Sequence, residues 1–202
     1  MMNCYVINLK RRKDRLDHIT KECEKIGIEF SLFEAIDGRK KYPELANVIM
    51  GGAMGCYESH LEVLRLGLKE DEHLLVLEDD AVFCELFWEE LTKRLYELPN
   101  EWDLFFLGGS LLWDNAVIDY SEHLKIANNV LCTQAYIVNK NSIGKLINHL
   151  EKRAFKVDVL YTEFQKENNC FISYPELAWQ LEGYSDLVQT ETNNLHLRYG
   201  RN

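Results

Sequence analysis

Leu74-Leu75-Val76-Leu77-Glu78-Asp79-Asp80-Ala81-Val82-Phe83 is the stretch on which the reading of this chain turns. Four apolar residues in a row form a short strand of the kind buried inside a layered sheet. The run ends abruptly in three acids, so a core strand delivers carboxylates to its carboxyl end. Alternation along an extended chain puts Glu78 and Asp80 on one face and Asp79 on the other. Two carboxylates at the mouth of an apolar core repel each other, and stay ionised only with good solvation or with a cation between them. A hard divalent ion such as Mg2+ or Mn2+ suits oxygen ligands and would in turn hold phosphate oxygens. The plainer alternative is a solvated strand end that caps a helix starting near Glu85. The wholly apolar run before the acids weighs against it.

Outward from this stretch, apolar runs alternate with helix-period segments, which predicts an α/β layered domain. Residues 3–9 read as a buried strand. Residues 14–26 come next as a helix with Leu16, Ile19, Cys23 and Ile26 along one face, closed by Gly27 in the manner of a C-terminal cap. Residues 28–35 are a second strand, and Asp37-Gly38 a turn. A helix is expected over about 54–69, another over 85–98 stopped by Pro99, and a strand over 102–107 ending in Gly108-Gly109. Residues 110–129 carry no assignable pattern. Residues 131–138 read as a strand and 141–153 as a helix. The regular first part implies parallel pairing and the less regular tail a mixed sheet. Ligands of open α/β sheets sit at the carboxyl ends of the strands, which directs attention to the residues just after Leu9, Leu77 and Leu107.

The 202 residues fit one domain. Lys and Arg total 23 against 33 Asp and Glu, a formal charge of −10. So acidic a body repels the phosphates that non-specific nucleic-acid binding must neutralise, and no nucleic-acid partner is expected. No segment approaches the roughly 20 apolar residues that span a bilayer. The first apolar run, 4–9, is too short for a signal-peptide core, and its basic cluster, 10–13, lies on the wrong side. Six cysteines without a Cys-x-x-Cys pair suggest reduced, packed thiols and a cytoplasmic protein. The basic clusters at 10–13 and 39–41 offer at most weak contact with the inner face of a membrane.

Five blocks, taken in order, resemble glycosyltransferase family 25, which includes bacterial lipooligosaccharide galactosyl- and glucosyltransferases and collagen galactosyltransferases. Tyr5-Val6-Ile7-Asn8-Leu9 with Arg11, Arg12 and Arg15 is similar to its opening strand and arginine segment. Phe33-Glu34-Ala35-Ile36-Asp37-Gly38 is similar to its A-x-D-G turn. Gly55-Cys56-Tyr57-Glu58-Ser59-His60-Leu61 is similar to its G-C-x-x-S-H helix start, and Leu77-Glu78-Asp79-Asp80 to its acidic metal motif. Ala135-Tyr136-Ile137-Val138 with Lys145-Leu146 is similar to its A-Y and K-L strand and helix. Val157-Asp158, Pro175, Gln180 and Ser185-Asp186 are fainter echoes. Ala53 stands where the family usually has Glu, and Val159 where an acid is common. The resemblance implies a single-domain GT-A-like fold, with a Rossmann-like mixed sheet and helices on both faces. It also implies a UDP-sugar donor, a divalent metal, and inversion at the anomeric carbon. Residues 1–109 would then carry the donor nucleotide and metal, and 110–202 the acceptor.

On that reading Asp80 holds the metal, with Glu78 as a further ligand or near the ribose, while Asp79 contacts the ribose or holds the loop. Arg11, Arg12 and Arg15 come just after the first strand, where guanidinium groups match phosphate geometry. Positive charge at a helix start opposes the dipole, so a use for them, led by Arg15, is expected over a merely solvated basic turn. Asn8 and Leu9 would frame the uracil through their backbone, and Ser59 and His60 would border the donor pocket. Cys56 and His60, at i and i+4, could begin a zinc site, but no second pair in the sequence completes one. An inverting transfer needs a base for the acceptor hydroxyl. Asp158 is the first candidate and Asp186 the second; the alternative for Asp158 is to cap the apolar-periodic segment 159–164. Asp103, Asp114, the acceptor-side platform Trp113 and the late His196 are further candidates, with core packing or a frayed tail as the plain readings.

The expected activity is a metal-dependent inverting transfer of galactose or glucose from a UDP-sugar to a glycan, glycolipid or protein hydroxyl acceptor. Ala53 and Val159 keep a second reading open, a catalytically inactive nucleotide-sugar or glycan binding module. A different metal-phosphate enzyme such as a nucleotidyltransferase would need a phosphate-cradling loop. The one glycine cluster, 51–55, lacks the lysine of such a loop.

Overall fold

A computed structural model describes residues 2–45, 49–111, 117–186 and 190–192 of the chain. The strands are β1 (Met2–Asn8), β2 (Ser31–Glu34), β3 (His73–Glu78), β4 (Ala81–Phe83), β5 (Leu104–Phe106), β6 (Ser110–Leu111) and β7 (Val117–Asp119). They continue with β8 (Leu124–Ala127), β9 (Val130–Leu131), β10 (Ala135–Val138), β11 (Cys170–Ser173), β12 (Ala178–Gln180), β13 (Gly183–Ser185) and β14 (Thr190–Thr192). The helices are α1 (Lys13–Ile26), α2 (Gly38–Lys41), α3 (Ile49–Gly67), α4 (Phe87–Glu97), α5 (Ile143–Leu150) and α6 (Val157–Gln165).

Eight strands make one mixed sheet in the order β2-β1-β3-β10-β5-β11-β8-β7. β1 pairs in parallel with β2 and β3, whereas β10 runs antiparallel between β3 and β5. The alternation of β3 sorts its side chains into two cores. Leu74 and Val76 pack with Leu61, Leu64, Ile143, Leu146, Leu160 and Phe164 from α3, α5 and α6. Leu75 and Leu77 pack with Ile19, Cys23, Phe87 and Leu91 from α1 and α4. The layers are therefore helix, sheet, helix, as expected for a wholly apolar strand buried on both faces.

Gly27 closes α1 at φ 67°, the left-handed cap read from the sequence. Four local expectations are corrected. α3 begins at Ile49, five residues before the expected start, because Gly51 lies inside the helix where it packs on Gly38. The expected strand 131–138 is two strands, broken at Cys132, whose φ is 75°. The unassigned stretch after 110 holds β6 and the β7–β8 hairpin at the sheet edge. The second strand is confined to 31–34. No helix of the described residues is long and apolar enough to cross a membrane.

Candidate active site

β1 and β3 lie side by side and end together, with Ile7 opposite Glu78. Their carboxyl ends, the start of α1, the turn at Asp37–Gly38 and one flank of α3 enclose a cleft of about 270 Å³. Leu9, Arg11, Arg15, Ser59, His60, Glu78, Asp79, Asp80 and Asp186 all line it. Asn8 stands behind the wall, and Asp158 is not among the lining residues.

The three acids are held differently. Glu78 is the last residue of β3 and keeps the strand's alternation, so it faces α3. There Thr133 Oγ1 donates to Glu78 Oε1 at 2.6 Å, and His60 Nε2 lies 3.3 Å from the same oxygen. Burial alone would raise the Glu78 carboxyl, but His60, Thr133 and Arg15 outweigh it and hold it below the usual range. The chain turns at Asp79 and Asp80, which breaks the alternation. Asp80 therefore does not stay with Glu78 as expected but joins Asp79 on the α1 side. Arg15 Nη1 donates to Asp79 Oδ1 and Asp80 Oδ2, each at 2.9 Å, and Nη2 donates to the Tyr184 carbonyl at 2.8 Å. Asn8 Nδ2 donates to Asp79 Oδ2 at 2.8 Å.

Asp80 Oδ1 is buried and has no hydrogen-bond partner. Burial pushes the Asp80 carboxyl well up, Glu78 and Asp79 push it further, and Arg15 offsets only part. An orphaned carboxylate oxygen on the lining of a cleft, in a cluster with more negative than positive charge, fits an oxygen-seeking divalent cation.

The arginine segment divides its work. Arg11 pairs with Asp37 and, through Nη2 at 2.8 Å, with Asp186 Oδ1. Arg12 pairs with Asp14 and with the other oxygen of Asp186. Ser59 Oγ donates to the Gly55 carbonyl at 2.6 Å and accepts from Ile36 N at 2.8 Å, so its hydroxyl ties α3 to the chain before Asp37. The two motif glycines explain that closeness. A β-carbon on Gly38 would stand 2.5 Å from Gly55 N, and one on Gly55 2.5 Å from Gly38 N, so helix and turn meet backbone to backbone. The late segment closes the cleft. β12 pairs with β4, Leu181 N donates to the Asp80 carbonyl at 2.7 Å, and Gln180 and Ser185 reach the lining.

Asp158 lies in the first turn of α6, whose N-cap residue is Lys156, and its Oδ1 accepts from Val159 N at 2.8 Å, so it does serve an amide at the helix start, from inside the helix rather than from the cap position. Burial pushes its carboxyl up, and Glu78 adds to this against the Val159 amide. Asp103 sits at the amino end of β5, away from the cleft, where it accepts from Ser142, Lys145 and Asn169. Gly108 serves a backbone approach, since a β-carbon there would run into the Ala178 carbonyl. Trp102 is in the core and Trp88 donates to the Ile26 carbonyl at 2.6 Å. Trp113, Asp114 and His196 lie outside the described residues. Sequence reasoning missed Thr133 and Tyr161, and it read Tyr136 only as part of a strand block, with no role at the site. Tyr161 donates to Tyr136 at 2.9 Å, and the Tyr136 hydroxyl is 2.8 Å from His60 Nδ1.

A family model described as glycosyltransferase family 25 (LPS biosynthesis protein) matches residues 1–127. The chain is 30% identical over 171 residues to a procollagen lysyl hydroxylase and glycosyltransferase of Acanthamoeba polyphaga mimivirus, covering 71% of this chain and 19% of that protein. It is 30% identical over 125 residues to procollagen galactosyltransferase 2 of Mus musculus, covering 52% and 20%. The chain thus spans about a fifth of the length of these relatives. In fold it is similar to a structure from Bacillus anthracis described as a glucose-1-phosphate thymidylyltransferase, with TM-score 0.50 and 10% identity over 89% of this chain and 88% of that one. The matched residues contain the arginine segment, the Asp37–Gly38 turn, the α3 flank and the acidic triplet, and by that match the chain belongs to glycosyltransferase family 25.

Proposed function

We propose that the chain is a metal-dependent, inverting glycosyltransferase that moves galactose or glucose from a UDP-sugar to a hydroxyl acceptor. The acceptor is a lipooligosaccharide-type glycan, a glycolipid, or a protein hydroxyl. One observation carries the reading: Asp80 Oδ1 is buried without a partner at the head of a cleft that also holds Glu78 and the arginine segment. Asp80 and Glu78 would hold the cation. When bound, it offsets the charge that develops on the diphosphate as the glycosidic bond breaks.

The chain's own groups have distinct parts in this reading. Arg15 keeps Asp79 and Asp80 together rather than reaching for phosphate, and Asn8 supports Asp79 from behind. Arg11, on the rim, is the guanidinium placed to meet a diphosphate. Leu9, Ala35 and Ile36 give the apolar wall for a nucleoside base. Asp158 is the preferred base, because a carboxyl raised by burial is better matched to taking a proton near neutral pH. Asp186 ranks second, since both its oxygens are engaged by Arg11 and Arg12. Residues 1–109 serve donor and cation, and 110–202 the acceptor.

The test is UDP release from a panel of UDP-sugars with Mn2+, with and without EDTA, beside a folded Asp80→Ala variant. Metal-dependent release from one sugar, lost in the variant, supports the reading and names the donor. Donor binding by calorimetry with no release on any acceptor panel would favour the inactive binding module. No donor binding at all would sink both.

A further inference from the structure

We propose that Cys56, His60 and Glu78 form a second cation site of a different chemical character, one for a borderline-soft ion such as Zn2+, with Glu78 as the carboxylate it shares with the Asp80 site. α3 sets Cys56 and His60 one turn apart on the same flank, and β3 supplies Glu78 opposite them. One ligand atom from each lies within 4.8 Å of the others. His60 Nε2 and Glu78 Oε1 are already 3.3 Å apart. Bonds of about 2.0–2.3 Å in a tetrahedral site place ligand atoms roughly 3.3–3.8 Å from one another, so the thiol has only about 1 Å to travel.

The supports of a metal site are also present. His60 is fully buried, and its Nδ1 is fixed by the Tyr136 hydroxyl at 2.8 Å, which leaves Nε2 as the nitrogen turned to Glu78. Thr133 fixes Glu78 in the same way at 2.6 Å. All three ligand residues line the cleft, which gives an entry path and room for water at a fourth position. Thiolate and imidazole select Zn2+ over Mg2+ or Mn2+, whereas Asp80 favours the hard ions. On binding, the Cys56 thiol loses its proton to solvent. The ion takes the place of the proton between Nε2 and Glu78; that proton moves to Nδ1, which then donates to the Tyr136 oxygen while the Tyr136 hydroxyl turns to donate to Tyr161. The site stands on this geometry and not on sugar transfer.

Cobalt, a spectroscopic stand-in for zinc, tests it without any turnover assay. One equivalent of Co2+ added to the metal-free protein is expected to give a thiolate-to-cobalt charge-transfer band and intense tetrahedral visible bands, both removed by one equivalent of Zn2+. The Cys56→Ser variant, checked for folding by circular dichroism, is expected to lose the charge-transfer band. It should bind Zn2+ at least about 10- to 100-fold more weakly, the loss that even an outer partner costs. Cys132→Ser is expected to keep the band. A weak octahedral cobalt spectrum in the parent protein, or no cobalt uptake, overturns the proposal. So does a thiolate band that survives Cys56→Ser or vanishes in Cys132→Ser.

Discussion

Arg15 is the residue on which the acidic cluster depends. Among the described residues it is the cation that reaches both Asp79 and Asp80, and it also holds the Tyr184 carbonyl. Removing one partner of a buried ion pair costs about 3–5 kcal/mol, because the other is left as an unpaired charge. Arg15→Met is therefore expected to lower unfolding free energy by about 3 kcal/mol in EDTA, read from urea denaturation. Under the proposed function Mn2+ restores part of that loss and stabilises the variant more than the parent. Equal stabilisation of both proteins would remove Asp80 from the cation site. At Glu78, Thr133→Val removes a charge-assisted hydrogen bond, and metal-dependent UDP release is expected to fall about tenfold. The acids and arginines are legible in the sequence because they are charged groups at strand ends. Thr133 and Tyr136 are not, because neutral side chains acquire their meaning only when β10 is laid beside β3.

The meeting of α3 with the Asp37–Gly38 turn shows what a helix can require of its sequence. Gly55→Ala places a β-carbon against the backbone of Gly38, which can give way only by separating the two elements. The expected loss is about 2–3 kcal/mol in chemical denaturation, with weaker donor binding because the turn lines the cleft. Gly144→Ala, in α5, is the control. Its β-carbon would meet only Leu68 Cδ1 at 3.8 Å, so a gain of about 0.5 kcal/mol is expected. Two helix glycines thus carry opposite signs: Gly144 follows the propensity scale, and Gly55 reverses it because the Gly38 backbone occupies the space. For the same reason the start of α3 is hidden in the sequence: glycines at 51 and 52 look like a loop until Gly38 is seen to pack there. Wholly apolar or strongly periodic elements, β1, α1, β3 and α4, are legible within a few residues. The short strands β6 to β9 are not, since two to four residues hold too little pattern to show a period.

At the scale of the molecule the cleft and the structural ties lie at opposite ends of the sheet. Asp103, at the amino end of β5, accepts from Ser142, Lys145 and the Asn169 amide, joining three segments. Burial raises its carboxyl, but these donors outweigh burial and hold it below the usual range. A depressed carboxyl stabilises the fold above its unfolded pKa, near 4, and the contribution fades as pH falls through the folded value. Asp103→Asn is therefore expected to cost about 1–3 kcal/mol at pH 7, with the gap to the parent closing at more acidic pH. Equal gaps at pH 7 and pH 3 would show that its charge is not what matters.

β10 also governs how the chain comes into being. The strand is antiparallel between β3 and β5, yet it is made after both. Until residue 138 has been synthesised, the two middle strands have no common neighbour and their Leu, Val and Phe faces have no complete sheet to join. Order cannot grow stepwise from the first residue; it must wait for a late segment to fill an interior position, a non-local closure that folds slowly. A nascent chain ending at residue 127 would hold the acidic triplet and the arginines of the cleft and still have no middle to its sheet.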